Sequence, residues 1–221
     1  MALPAFLLAG LYLRYRHQPL PAAPSKRHTG GRARLPLSCW LLAALVGVGV
    51  AVEWALVYFG AQALTATGLR TAQAATAMSG FYLGILGGRV GGAWLTRRAG
   101  RTVRLLWTSL AITAAGFLLF WLADLPILAI AGLFICGLGI SNLYPLSLAL
   151  TLAAAPGNGD TANARTQLFI GVFDTASPYL LGSLADHLGL HAAFTIEPVL
   201  IGVCALLLLA GLRLARRPAV T

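Results

Sequence analysis

Two acidic residues stand inside long apolar stretches, and their chemistry needs an explanation first. Glu53 lies within the apolar run 50–56, and Asp174 lies within the run 169–175. An ionisable group at mid-membrane is costly, so it normally faces the interior of a helix bundle or water. A carboxyl group there can take up and release a proton, which predicts Glu53 and Asp174 as proton-coupling residues. The alternative is a packing role, in which each carboxyl only hydrogen-bonds to a neighbouring helix.

Four further residues are predicted to line a solute pathway. Asn142 and Tyr144 stand just before Pro145, whose ring interrupts helical hydrogen bonding and frees carbonyl groups. A simple kink is the alternative at this point. Gln167 falls on the same helical stripe as Asp174, and Trp54 follows Glu53 directly.

The composition places these residues in a membrane protein. The chain has 221 residues, of which 58% are hydrophobic and 10% charged, and its mean hydropathy is +0.80. A soluble domain of this size is much less apolar. The net charge of +10 is carried by short loops, which is typical of membrane orientation and leaves no basic face for nucleic acid. Cys39, Cys136 and Cys204 are isolated in apolar runs, so we expect neither a disulfide framework nor a metal site, and no cofactor.

Six apolar segments are each long enough to cross a bilayer as a helix. They are approximately 37–61, 73–95, 105–122, 126–150, 164–185 and 192–213. The sequence therefore predicts an all-α polytopic membrane protein. Its expected parts are the remnant of a preceding transmembrane helix at 1–13, a basic cytoplasmic linker at 14–36, a six-helix bundle at 37–214 and a cytoplasmic tail at 215–221.

The basic residues orient these segments. With the linker in the cytoplasm, all of the 16 Lys and Arg residues except Arg70 and Arg89 face the cytoplasm or its membrane boundary. Short loops rich in Lys and Arg remain on that side. The pattern predicts a multi-pass protein of the cell membrane with both ends in the cytoplasm.

Small residues and internal similarity predict how the segments pack. Gly80, Gly84, Gly88 and Gly91 share one helical face, where small residues let another helix approach closely.

At an offset of 89 residues the first three segments superpose on the last three, and Glu53 then falls on Asn142. Three spans are an odd number, so the two units would be inverted repeats. The identities are few, and chance similarity remains the alternative.

Three stretches resemble the major facilitator superfamily of transporters, in its C-terminal six-helix half. Residues 88–101 are similar to the family's glycine- and arginine-rich loop signature, 137–146 to its tenth helix, and 178–189 to its eleventh helix and the following turn. The positions that match the loop signature are Gly88, Arg89, Gly92, Arg97, Arg98, Gly100 and Arg101. Arg97 departs from the family, which usually has an acidic residue at that position.

The resemblance implies alternating access around a cavity between two six-helix bundles. This chain supplies one bundle, so a fragment or a split or truncated reading frame is expected, completed by an N-terminal half or a second copy. The implied partners are the bilayer, a small solute and protons. The alternative is a membrane scaffold that does not transport, or an inactive remnant. No phosphate-binding loop, nucleophile elbow or His-Glu-x-x-His motif is present in the sequence, so an enzyme is not expected.

The remaining charged residues of the segments and loops receive structural interpretations. Arg89 is expected to reach the membrane interface or to pair with an acidic group of a neighbouring helix. Six residues near segment ends are expected to be solvated: Asp124, Asp160, Asp186, His187, His191 and Glu197.

Overall fold

The computed structural model describes residues 35–96 and 100–215, and in these ranges the chain is helical without strands. The predicted remnant at 1–13 and most of the linker lie outside the described residues. The described helices are α1 (Leu37–Ala66), α2 (Thr71–Thr96), α3 (Thr102–Trp121), α4 (Pro126–Ile140), α5 (Leu143–Ala153), α6 (Gly159–Leu188), α7 (Leu190–Ala193) and α8 (Ile196–Ala215).

Five helical stretches in the described part of the chain are long and apolar enough to cross a membrane. They are α1, α3, α4 with α5, α6, and α7 with α8. Helix α2, with 26 residues, is also long enough to cross a membrane. Its glycines, hydroxyl residues and Arg89 make it less apolar than those five stretches. The all-α fold expected from the sequence is confirmed, and the helices extend the predicted segments by up to five residues at their ends.

The fourth predicted segment is interrupted in its middle. Helix α4 ends at Ile140 and α5 begins at Leu143, so Ser141 and Asn142 form a turn between them. Pro145 has no N–H to donate to the carbonyl of Ser141, which weakens the helix at this point. The break expected from Pro145 is therefore present.

Helix α1 is the centre of the bundle. Sixteen of its 30 residues are buried, and it packs against α2, α5, α6 and α8. Its sequence is apolar on all sides, which is typical of a helix that other helices surround.

Glycines set the closest contacts between α2 and α4. A Cβ atom at Gly84 would overlap the carbonyl oxygen of Phe134, and one at Gly137 would overlap that of Phe81. The predicted glycine face was wrong in one position: no atom of the described residues lies within 4 Å of a Cβ at Gly91, and the contact continues through Gly88 to Gly92 instead. Steps of four residues keep the glycines facing α4 here, whereas the step of three to Gly91 turns away from it.

A second set of glycines joins α3 to α4. Cβ atoms at Gly116, Gly132 and Gly139 would overlap backbone nitrogens of Cys136, Phe120 and Thr113 respectively. Because small residues let backbones approach closely in lipid, α2, α3 and α4 form a tightly packed layer. Helix α6 is different, since only Ala162, Thr166 and Leu181 of its 30 residues are buried.

Candidate functional site

Glu53 lies half-buried on a side of α1 that faces the start of α5. One turn earlier, a Cβ at Gly49 would lie 3.7 Å from the Cβ of Leu143. Arg89 lies on α2 directly after Gly88, whose carbonyl oxygen accepts a hydrogen bond from Asn142 at the α4–α5 break. The fold thus brings Glu53, Arg89 and the α4–α5 break into one region, although they are far apart in sequence.

Asn142 occupies the break itself and is 7% exposed. Its side-chain nitrogen donates hydrogen bonds to the carbonyl oxygen of Gly88, at 3.0 Å, and to the hydroxyl of Ser141, at 3.1 Å. A Cβ at Gly92 would overlap the Asn142 amide oxygen, so glycine is needed there. The Asn142 side chain therefore holds the break against α2. Tyr144 is half-buried two residues further on.

Asp174 lies on α6 close to a different side of α1. Phe173 packs where a side chain at Gly47 would stand, and the Ser177 hydroxyl donates a hydrogen bond to the Ala51 carbonyl at 3.2 Å. The Oδ1 atom of Asp174 is buried without a hydrogen-bond partner among the described residues. The interhelical hydrogen bond on this face thus comes from Ser177.

The remaining predicted pathway residues are less enclosed. Gln167 is exposed, two turns before Asp174 on α6. Trp54 is half-buried and stacks on Tyr58, with ring centroids 5.3 Å apart. The fold does not bring Glu53 and Asp174 together, because they lie on different sides of α1.

The glycine- and arginine-rich loop signature divides into two parts. Gly88 and Gly92 belong to the packed face of α2, while Arg89 is exposed. Gly100 has a φ of +82°, a conformation that glycine adopts without strain, and Arg101 directly precedes α3. Arg97 and Arg98 lie outside the described residues.

Glu197 was missed as a site residue, and the expectation that it is solvated is wrong. It is 1% exposed, and neither of its carboxylate oxygens has a hydrogen-bond partner in the described chain. Phe194, three residues before Glu197, packs against Phe117 and Phe120 at centroid distances of 6.0 and 5.8 Å. The sequence does contain an indication that Glu197 is buried, because the residue lies inside the predicted apolar segment 192–213.

The other five residues expected to be solvated are exposed, which confirms that expectation: Asp124, Asp160, Asp186, His187 and His191. Within 35–96 and 100–215, no three His, Cys, Asp or Glu side chains group as metal ligands would.

Membrane-length helices joined by close glycine contacts define a polytopic α-helical membrane protein. The family model of the Major Facilitator Superfamily matches residues 39–221, and the chain belongs to this family. This confirms the resemblance seen in the sequence.

A solved structure supports the same fold. The chain is similar to the in meso crystal structure of the POT family transporter PepTSo, with a TM-score of 0.71 and 19% sequence identity. The match covers 82% of this chain and 38% of that one. Comparison with curated proteins finds no match.

Proposed function

We propose that this chain is the C-terminal six-helix bundle of a transporter that moves a small solute across the cell membrane by alternating access. The observation that carries the proposal is helix α6. It is long and apolar enough to span, yet only three of its residues are buried in the described chain, and it carries Gln167 and Asp174. Polar groups in a span face protein or water rather than lipid, so a second bundle is needed to cover this helix.

The second bundle is an N-terminal six-helix half or a second copy of this chain. The chain spans 38% of the POT transporter that it resembles, which is consistent with one bundle of two. With the Arg-rich turn at 97–104 in the cytoplasm, both ends of the bundle face the cytoplasm as well.

Glu53 is the residue that couples transport to protons in this proposal. As an anion, it attracts Arg89 across the α1–α2 contact; when it is protonated, that attraction is lost. Proton binding and release at Glu53 would thereby alter how α1 sits against α2 and the α4–α5 break. Asp174 is the second proton-coupling residue, since its buried Oδ1 lacks a hydrogen-bond partner among the described residues. Asn142, Tyr144, Gln167 and Trp54 contribute to the solute pathway.

Transport by the two-bundle protein in proteoliposomes tests the proposal. Under an imposed pH gradient, a pH-sensitive dye inside the vesicles would report proton movement on addition of sugars, amines or peptides. We expect at least one class of solute to drive proton flux, and Glu53→Gln to abolish that flux. Asp160→Asn is the matched control, because Asp160 is an exposed acidic residue at the start of α6.

Two results would contradict parts of the proposal. If solute-driven proton flux keeps its pH dependence in the Glu53→Gln variant, Glu53 does not take part in the mechanism. Folded two-bundle protein that moves none of the solutes, with or without a pH gradient, favours the alternative of a scaffold that does not transport.

A further inference from the structure

A cavity of about 450 Å³ opens where α1 and α3 end and α7 begins. This end of the bundle is opposite the turn that joins α2 to α3, because α3 runs from that turn to Trp121. The cavity is of a size that holds small organic ligands. It lies outside the Glu53 and Asp174 regions, and its occupancy does not depend on the proposed transport.

The inner wall of the cavity is aromatic and its side chains are fixed. Phe120, Trp121 and Phe194 line it. The Trp121 indole N–H donates a hydrogen bond to the His191 carbonyl at 3.0 Å, and the indole ring meets the His191 ring edge to face at 5.4 Å. On its other side, Trp121 stacks with Phe117 at 6.2 Å. A ligand that enters therefore meets a wall that is already ordered, which lowers the entropic cost of binding.

The charge of the cavity is acidic. Asp124 is exposed and lines it, and no Lys or Arg is among the lining residues that the structure describes. His191 is the other titratable lining group, and Arg70 follows the lining residue Gly68 by two positions without lining the cavity itself.

We propose that this cavity binds a small organic ammonium ion with an aromatic body. Asp124 pairs with the ammonium group, and Trp121, which is partly exposed, attracts the cation and contacts the aromatic body together with the apolar lining residues. An anionic ligand would be repelled by Asp124. A neutral ligand of the same shape would keep the apolar contacts and lose the charge interactions.

Calorimetric titration of the full chain in lipid nanodiscs tests this proposal, with 2-phenylethylammonium as the probe and empty nanodiscs as the blank. The neutral isostere 2-phenylethanol separates charge recognition from partitioning into lipid. We expect the ammonium probe to bind at least about tenfold more tightly than the alcohol, since a paired charge and a cation–π contact together contribute that much. Asp124→Asn should weaken binding of the ammonium probe by about tenfold and leave the alcohol unaffected.

Two variants make the result specific to this cavity. Asp160→Asn removes an equally exposed carboxylate from the opposite end of the bundle and should leave binding unchanged. Trp121→Leu should weaken binding of both probes, because it removes part of the wall. The proposal is overturned if the ammonium probe shows no saturable binding, if it binds no better than the alcohol, or if Asp124→Asn and Asp160→Asn behave alike.

Discussion

The side-chain amide of Asn142 donates a hydrogen bond to the backbone carbonyl of Gly88 at 3.0 Å, and so joins the α4–α5 break to the middle of α2. The approach is possible because Gly88 and Gly92 have no side chains to separate the two helices. The break and the glycine face of α2 are therefore one structural unit.

Asn142→Ala should lower the stability of the bundle. The substitution removes the hydrogen bond to α2, which costs about 0.5–2 kcal/mol for a hydrogen bond between membrane helices. Thermal unfolding in detergent would measure the loss. Asn158→Ala is the control, because Asn158 is exposed and makes no side-chain capping bond to α6. Equal stability of the two variants would show that the Asn142 hydrogen bond contributes nothing.

Gly84→Ala and Gly91→Ala should differ in stability although they lie on the same helix. The new methyl group at position 84 meets the Phe134 carbonyl, and overpacking of this kind costs about 1–3 kcal/mol. The methyl group at position 91 meets nothing within 4 Å, so the variant should gain up to about 1 kcal/mol of helix propensity. Thermal unfolding of both variants would decide; a stable Gly84→Ala would contradict the close approach of α2 to α4.

The fold was largely predictable because lipid imposes simple rules on sequence. Apolar length predicted the helices, and Pro145 predicted the interruption at Ser141 and Asn142. The glycine face of α2 was predicted apart from its last member, because regular spacing defines a helical face but does not show where a neighbouring helix diverges. These features depend on local sequence, which is why they could be read without a structure.

Glu197 provides a test of buried polarity in α8. Its carboxyl group is 1% exposed and unpartnered in the described chain, so an apolar replacement of similar length removes a desolvated group at little cost. Glu197→Met should therefore unfold at the same temperature as the unsubstituted chain or above it. Glu197→Lys should unfold at a much lower temperature, because it buries a charge among apolar side chains.

Asp186→Lys is the control for the charge change, since Asp186 is exposed and should tolerate it. Clear destabilisation by Glu197→Met would show instead that the carboxyl group contributes to folding.

Cysteine labelling should report the membrane orientation without removal of the native thiols. Cys39, Cys136 and Cys204 are at most 1% exposed and should not react with a membrane-impermeant maleimide in the folded protein. Asp160→Cys should react from the cytoplasmic side, and Asp124→Cys from the opposite side only. Labelling of both variants from one side would disprove the alternating topology of α3 to α6.

The site was less predictable than the fold because it depends on contacts between distant parts of the chain. The sequence marked Glu53, Asn142 and Gly88 one by one, but not that the Asn142 side chain donates a hydrogen bond to the Gly88 carbonyl. Glu197 was assigned to solvent because it stands near a segment end, whereas in the fold it is 1% exposed. The roles of Glu53 and Asp174 in proton coupling stay predictions.

The backbone contacts at Gly84, Gly137, Gly116, Gly132 and Gly139 restrict how this protein can move. Where main chains touch directly, there are no long side chains whose rotation could absorb a sliding motion. Helices α2, α3 and α4 should consequently travel as a single rigid body, and any rearrangement of the bundle has to be taken up at the Ser141–Asn142 turn or by α6.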